Sequence, residues 1–437
     1  MREITMAYGA RGMRVRLNED WQAEVIRKPA MPTLADPAAA IESSLDAPVG
    51  APPLAQLAAS ARRVCIVICD VTRPVPNGLI LPVLVRRLLA AGVKPEAITV
   101  LIATGLHRPN EGAEMAAVVG DETVLRTVRV VNHFARRDEE HVTLGTTTRG
   151  TPVRLDRRLM DADLRIVVGL VEPHFMAGYS GGRKLLAPGV AHADTITSFH
   201  HARLLEHPLA TNTVLDGNPL HDELLQIADM AGTVYAVNTV LDEERRIAAI
   251  HFGALLPSHA EAVACMRQYA ERKMDRTYGV VLTSSAGYPL DLTYYQTVKG
   301  MVSALGALRP GGKLFIVSEC AEGMGSAEFR EAQRRLVREG QEKFLAQMLA
   351  APRAPVDAWQ TEMLCKALRQ GDVHLCSAGL SEADWHDTGV RRVMNLEPEL
   401  AAAVAASGEN ALAVIPEGPY VIPVARALRS RADAGIA

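Results

Sequence analysis

The chain reads as an α/β protein of two domains, each a mostly parallel sheet flanked by helices, on three observations. Its 437 residues exceed what one ordinary hydrophobic core holds. Hydrophobic residues make up 48% and charged ones 22%, with only 4% aromatic, which favours helices layered on sheets over an aromatic-rich sandwich. Three apolar segments, at 64–69, 97–103 and 164–171, alternate with stretches of helical spacing, the pattern of a doubly wound parallel sheet.

Taken in order, the opening thirty residues alternate weakly (Met13, Val15, Leu17) around Gly9 and Gly12, as a hairpin does. Loop and short helix follow from Pro29 to Pro53. The first apolar strand runs into Asp70-Val71-Thr72-Arg73-Pro74, and Leu79 to Ala91 has helical spacing. The second strand leads into Thr104-Gly105-Leu106-His107-Arg108-Pro109, and the third into Glu172-Pro173-His174. A helix from about Leu255 to Lys273, ending in Glu271-Arg272-Lys273, is the expected connector, which divides the chain at 1–272 and 273–437. Beyond it the spacing predicts strands at 279–284, 313–318, 373–376 and 411–415. Helices are predicted at 293–308, 327–338 and 359–368, with a turn at Gly311-Gly312.

Charge excludes some partners. Lys+Arg at 47 against Asp+Glu at 50 leaves a net charge of -3, without the basic footprint of a nucleic-acid binder. Apolar runs such as Leu400 to Ala406 fall far short of the roughly 20 residues of a membrane span. The first residues lack the apolar core of a secretory signal, and the expected location is cytoplasmic. None of the cysteines forms a CxxC pair, so buried free thiols are expected, not a zinc knuckle or a disulfide framework.

In doubly wound sheets ligands sit beyond the carboxyl ends of the strands. Asp70, Arg73, His107 and His174 all fall there. Imidazole moves protons near neutral pH and binds borderline metals such as nickel or zinc, so His107, His174 and His200 are candidates for either task. Ser180-Gly181-Gly182 is a turn whose amides could approach a phosphate, with Arg183 and Lys184 adding positive charge. Lys184 reads either as a solvated surface lysine or as a partly desolvated nucleophile, since it stands between Gly-Gly-Arg and Leu185-Leu186-Ala187. Arg73 offers a planar fork for a carboxylate. Gln296 and Lys299, three apart, share one helical face and read as carboxylate holders or as a solvated first turn. From these residues alone the reaction stays unnamed.

The series Asp70 to Pro74, Thr104 to Pro109, Glu172 through Gly189, His200, Ser285-Ala286-Gly287-Tyr288-Pro289, Gln296 and Lys299 resembles the nickel-dependent lactate racemase family and its 2-hydroxy-acid racemase and epimerase relatives. The resemblance spans nearly the whole chain. It implies a nickel-pincer nucleotide: a pyridinium mononucleotide bearing a thioamide and a thiocarboxylate, binding nickel through two sulfurs and one ring carbon. Lys184 would carry the covalent thioamide link, and His200 would be the protein ligand to nickel. Asp70, Thr72, Ser180, Gly181, Gly182 and Arg183 are the expected phosphate surroundings.

By the same resemblance, one of His107 and His174 takes the hydroxyl proton while hydride leaves C2 for the cofactor. A planar 2-keto acid forms, and a histidine on each side serves either enantiomer. Arg73, Gln296 and Lys299 would hold the substrate oxygens, with Lys299 also offsetting developing charge. Trp359 resembles an aromatic lining the family's site. The reaction chamber is expected in the cleft between the domains, and the substrate is lactate or another short 2-hydroxy acid. Separate proteins would synthesise the cofactor. Two rival readings stand beside this: a lyase or aldolase using Lys184 as a Schiff base, and a non-catalytic carrier of nickel or cofactor. The pair His107 and His174 speaks against the carrier, which needs no two bases.

Overall fold

The computed structural model describes residues 2–425. It divides into two compact units, each built on a six-stranded sheet. One unit comprises Ala30–Phe199 and Leu215–Gln268; the other takes the residues up to Pro29, His200–Val214 and the chain from Tyr269 onward.

In the first unit, strand Val64–Cys69 lies between Ile98–Ala103 and Leu164–Leu170 and runs parallel to both. These strands read VCIVIC, ITVLIA and LRIVVGL, nearly unbroken apolar runs suited to a sheet covered on both faces. Ile66, Ile68, Val100, Ile102, Ile166 and Val168 join one core with Leu81, Leu84 and Leu88 of helix Asn77–Ala90. Arg129–Asn132 and Tyr235–Leu241 extend the sheet in parallel, and Ile247–Ala254 closes it as an antiparallel edge. Because Cys69 pairs with Ala103, and Ile68 with Val168, the three segments that follow these strands leave the sheet side by side.

The second unit orders its sheet Arg391–Arg392, Gly371–Cys376, Leu308–Val317, Tyr278–Ser284, Ala411–Ile415 and Gln22–Val25, all parallel. The last of these comes from the N-terminus. The hairpin Arg2–Met6/Met13–Leu17 buries Ile4, Met6, Val15 and Leu17 in the same core as Val280, Leu282, Phe315, Leu412 and Val414.

A division at 272/273 therefore differs from the observed one at both ends. Alternation correctly marks the hairpin, but it says nothing of which sheet the hairpin's apolar face will cover. Glu271–Met274 is a strand paired with Ile422–Ala425, not a helical turn, and the helix stops at Ala270. Gly311-Gly312 lies inside strand Leu308–Val317, where the register jumps from Leu308 to Lys313 and the glycines take up the irregularity. All six cysteines are free, as expected.

Leu17 is fully buried. Leu17→Ala is expected to cost about 2–5 kcal/mol of stability. Hydrogen exchange should show faster exchange in Ala411–Ile415 and unchanged protection in Val64–Cys69, despite the mutation's N-terminal position.

Candidate active site

Asp70 ends the central strand of the first unit, and its side chain is only 6% exposed. Burial alone would raise its pKa. The hydrogen bond and charge of His107, the Thr72 hydroxyl and Arg73 together outweigh that and hold it below the usual carboxylate range. Asp70 Oδ2 lies 2.6 Å from His107 Nδ1, and Oδ1 accepts from the Thr72 hydroxyl at 2.6 Å and the Thr72 amide at 3.2 Å. An ionised carboxylate only accepts, so His107 Nδ1 carries the proton and Nε2 is the basic nitrogen of the neutral ring. The His107 side chain is 53% exposed, whereas that of its partner is 6% exposed.

Arg73 leaves the same strand end, and its Nε pairs with Glu172 Oε1 at 3.3 Å. Both side chains are largely buried, so the fork is held in one orientation. Glu172 in turn is fastened by Ser180, whose amide donates to the Glu172 carbonyl at 2.9 Å and whose Oγ accepts the Glu172 amide at 2.9 Å. His174 follows in the short hairpin Pro173–His174/Gly178–Tyr179. Its Nδ1 accepts from the amides of Met176 (3.3 Å) and Ala177 (3.1 Å).

The turn before Lys184 departs from the sequence expectation. The Ser180 hydroxyl donates to the Leu170 carbonyl at 2.7 Å, and the Gly182 amide donates to Asn238 Oδ1 at 3.0 Å. Gly181 has φ +74°, and a Cβ there would stand 2.6 Å from Val171 Cγ2. Arg183 is wholly buried, with Nη2 donating to the carbonyls of Ala177 (3.0 Å) and Tyr179 (3.3 Å) and Nη1 3.1 Å from His259 Nε2. Burial pushes this guanidinium down to about 9, and burial with its charge pushes His259 and His221 to about 3, so both rings are neutral.

The Ser180 hydroxyl, the Gly182 amide and Arg183 Nη1 and Nη2 thus face the protein, whereas Arg183 Nε is buried without a partner among the described residues. The Thr72 amide and hydroxyl are likewise taken up by Asp70. Sequence alone shows donors and charge in this turn but not which way they face. What the turn provides is a rigid mount: Lys184 is the half-buried residue between buried Arg183 and Leu185. The turn also packs on the sheet, because a Cβ on Gly169 would lie 2.5 Å from Leu185 Cδ1. The Gly105 amide donates to the Gly189 carbonyl at 2.9 Å, tying the His107 loop to the same segment.

The second unit gathers the remaining candidates. His200 is buried, and its ring stacks on Trp359 with centroids 4.6 Å apart and planes 30° from parallel. Trp359 Nε1 donates to the Tyr295 hydroxyl at 3.2 Å, and Gln360 Nε2 to the Tyr295 carbonyl at 2.6 Å, joining helices Ala358–Gln370 and Tyr294–Ser303. Thr293 caps the latter by accepting from the Gln296 amide at 3.3 Å, which fixes the first turn that carries Gln296 and, one turn on, Lys299. Gln296 Oε1 is buried with no hydrogen-bond partner among the described residues. Sequence reasoning assigned no role to Glu172 or Tyr295. Glu172 stands at a strand end beside His174 and could have been found that way; Tyr295 carries no such signal.

Residues 8–212 match the lactate racemase N-terminal domain and residues 274–423 the lactate racemase C-terminal domain. A lactate racemase of Lactiplantibacillus plantarum is 30% identical over 386 residues, covering 87% of this chain and 90% of that protein. One of Thermoanaerobacterium thermosaccharolyticum is 29% identical over 393 residues, covering 87% and 89%. The structure of the lactate racemase apoprotein from the latter organism superposes with a TM-score of 0.88 at 27% identity, covering 97% of this chain and 100% of that one. A Thermotoga maritima protein shares the fold at a TM-score of 0.69 and 19% identity, covering 89% and 98%.

Fold and relatives together define an enzyme of the isomerase class. The chain belongs to the lactate racemase family.

Arg183→Leu would leave the buried carbonyls of Ala177 and Tyr179 short of donors, at about 1–3 kcal/mol for each unsatisfied group. Calorimetry of the cofactor-free protein is expected to show a lowered unfolding midpoint; a solvent-facing phosphate cation would leave it unchanged.

Proposed function

We propose that this enzyme interconverts the enantiomers of lactate or another short 2-hydroxy acid. In this reading a nickel-pincer nucleotide is attached to Lys184 and its metal is held by His200. The observation that carries the reading is the row of strand ends that sets the Asp70–His107 pair, Arg73–Glu172 and His174 on one rim. Comparison with lactate racemases supports it.

The donors suit the group. One buried imidazole, that of His200, suits a nickel ion whose other ligands are on its cofactor. Lys184 sits on a turn held by the Ser180, Gly182 and Lys184 amides, which donate to the Glu172 carbonyl, Asn238 Oδ1 and the Gly181 carbonyl. When bound, the group supplies a hydride acceptor and donor for C2.

The chain's own residues do the rest. Arg73, oriented by Glu172, takes the substrate carboxylate with its planar fork. The unpartnered Gln296 Oε1 is an acceptor, suited to a substrate hydroxyl, and Lys299 offsets negative charge on the oxygens. His107 Nε2 receives the hydroxyl proton, and buried Asp70 stabilises the imidazolium that results. His174 is the second histidine at the reacting oxygen. Lys184 must acquire its cofactor from separate synthesis proteins.

Holo-protein given one enantiomer of lactate is expected to bring it to an equal mixture, read by chiral chromatography. Intact mass should show a cofactor-sized adduct that Lys184→Ala lacks. Inactivity across short 2-hydroxy acids, or borohydride trapping of a keto acid on Lys184, would overturn the reading. Asp70→Asn is expected to lower kcat by about 10²–10⁴-fold, with a smaller effect on KM.

A further inference from the structure

The two histidines are held by different chemistry, and the difference reaches a residue far away in sequence. His107 gives its Nδ1 proton to the accept-only carboxylate of Asp70 at 2.6 Å. His174 Nδ1 instead receives two backbone N–H groups, from Met176 at 3.3 Å and Ala177 at 3.1 Å. A nitrogen facing two donors cannot itself carry a proton, and turning the ring over would aim a C–H at both. The neutral His174 ring therefore keeps its proton on Nε2.

What holds those two amides in place is itself buried. The Met176 carbonyl and the Ala177 N–H belong to one peptide group. Asn218 Nδ2 donates to that carbonyl at 2.9 Å. Asn218 is fully buried, and its Oδ1 accepts from the amides of Leu220 (3.0 Å) and His221 (3.3 Å) as the cap of helix Pro219–Met230, which fixes which end of its amide points where. One peptide further on, Arg183 Nη2 donates to the Ala177 carbonyl at 3.0 Å. The Asn218 donor on the Met176 oxygen polarises the Ala177 N–H of the same peptide group and makes it a better donor to the imidazole, while Arg183 anchors the peptide that follows.

We propose that Asn218, seconded by Arg183, is a positioning residue that locks His174 with Nδ1 bare and its proton on Nε2, the tautomer opposite to that of His107. The inference rests on the reading in which these histidines attend the substrate's reacting oxygen. His107 then enters the cycle as proton acceptor and His174 as hydrogen-bond donor, so the two rings do not compete for one role. Helix capping accounts for Asn218 Oδ1 but not for Nδ2, which is the atom turned toward the His174 loop.

The test uses the full-length, cofactor-free protein with ¹⁵N in its imidazole rings, read by long-range proton–nitrogen correlation. His174→Gln and His107→Gln identify the two sets of signals. Wild type is expected to show His174 as the Nε2–H form and His107 as the Nδ1–H form. Asn218→Ser keeps a capping oxygen and removes the Nδ2 donor. In it, His174 should become a mixture of tautomers while His107 does not change, and in holo-enzyme kcat should fall about tenfold with KM little altered. An Nδ1–H form of His174 in wild type would overturn the proposal, as would unchanged His174 signals in folded Asn218→Ser. Should that variant not fold, Asn218→Asp retains the cap and replaces the donor with an acceptor, and the same two outcomes decide. Because the tautomers are read without cofactor or substrate, a locked His174 in a protein that fails to racemise would sink the functional reading alone.

Discussion

The buried carboxylate of Asp70 is the constraint on which the rest of the rim depends. It sits at the end of the central strand, where burial alone would favour its neutral form. His107, Thr72 and Arg73 reverse that preference. An ionised Asp70 dictates the tautomer of His107, fixes the Thr72 turn through two hydrogen bonds, and favours a cation at Arg73. Neutralising it would release all three at once. A buried charge with a full set of partners is costly to remove because each partner is left unmatched.

A parallel sheet makes that concentration possible. Three adjacent strands in register deliver their following loops to one rim, and every chemistry-bearing side chain of the first unit belongs to one of those loops or to the turn fastened beside them. Ser180, Gly182 and Arg183 bond to the surrounding protein, and Lys184 is the half-buried residue between buried Arg183 and Leu185.

Much of this was legible from residue order. Apolar runs at 64–69, 97–103 and 164–171 located the central strands within a residue or two, and the strand-end rule placed Asp70, Arg73, His107 and His174 on one edge. Three things were not. Tyr235–Leu241 and Ile247–Ala254 carry polar residues (Asn238, Thr239, His251) that break the apolar pattern, so the far side of that sheet stayed unseen. The hairpin was recognisable, but the sheet it covers is built from strands carrying Val280, Phe315 and Leu412, far along the chain and beyond any local periodicity. The facing of Ser180 and Arg183 was invisible because a turn's composition is the same whether its donors point out or in. Asn218 was hidden for a related reason: it acts through a backbone carbonyl, which no motif records.

The central claim is that the histidines act on the hydroxyl oxygen while the C2–H bond breaks as a hydride. Racemisation of lactate carrying deuterium at C2, in ordinary water, tests it most directly. If the claim holds, deuterium at C2 is retained in both enantiomers throughout equilibration. Replacement of that deuterium by solvent hydrogen at the rate of racemisation would contradict it, because His107 or His174 would then be removing a proton from carbon.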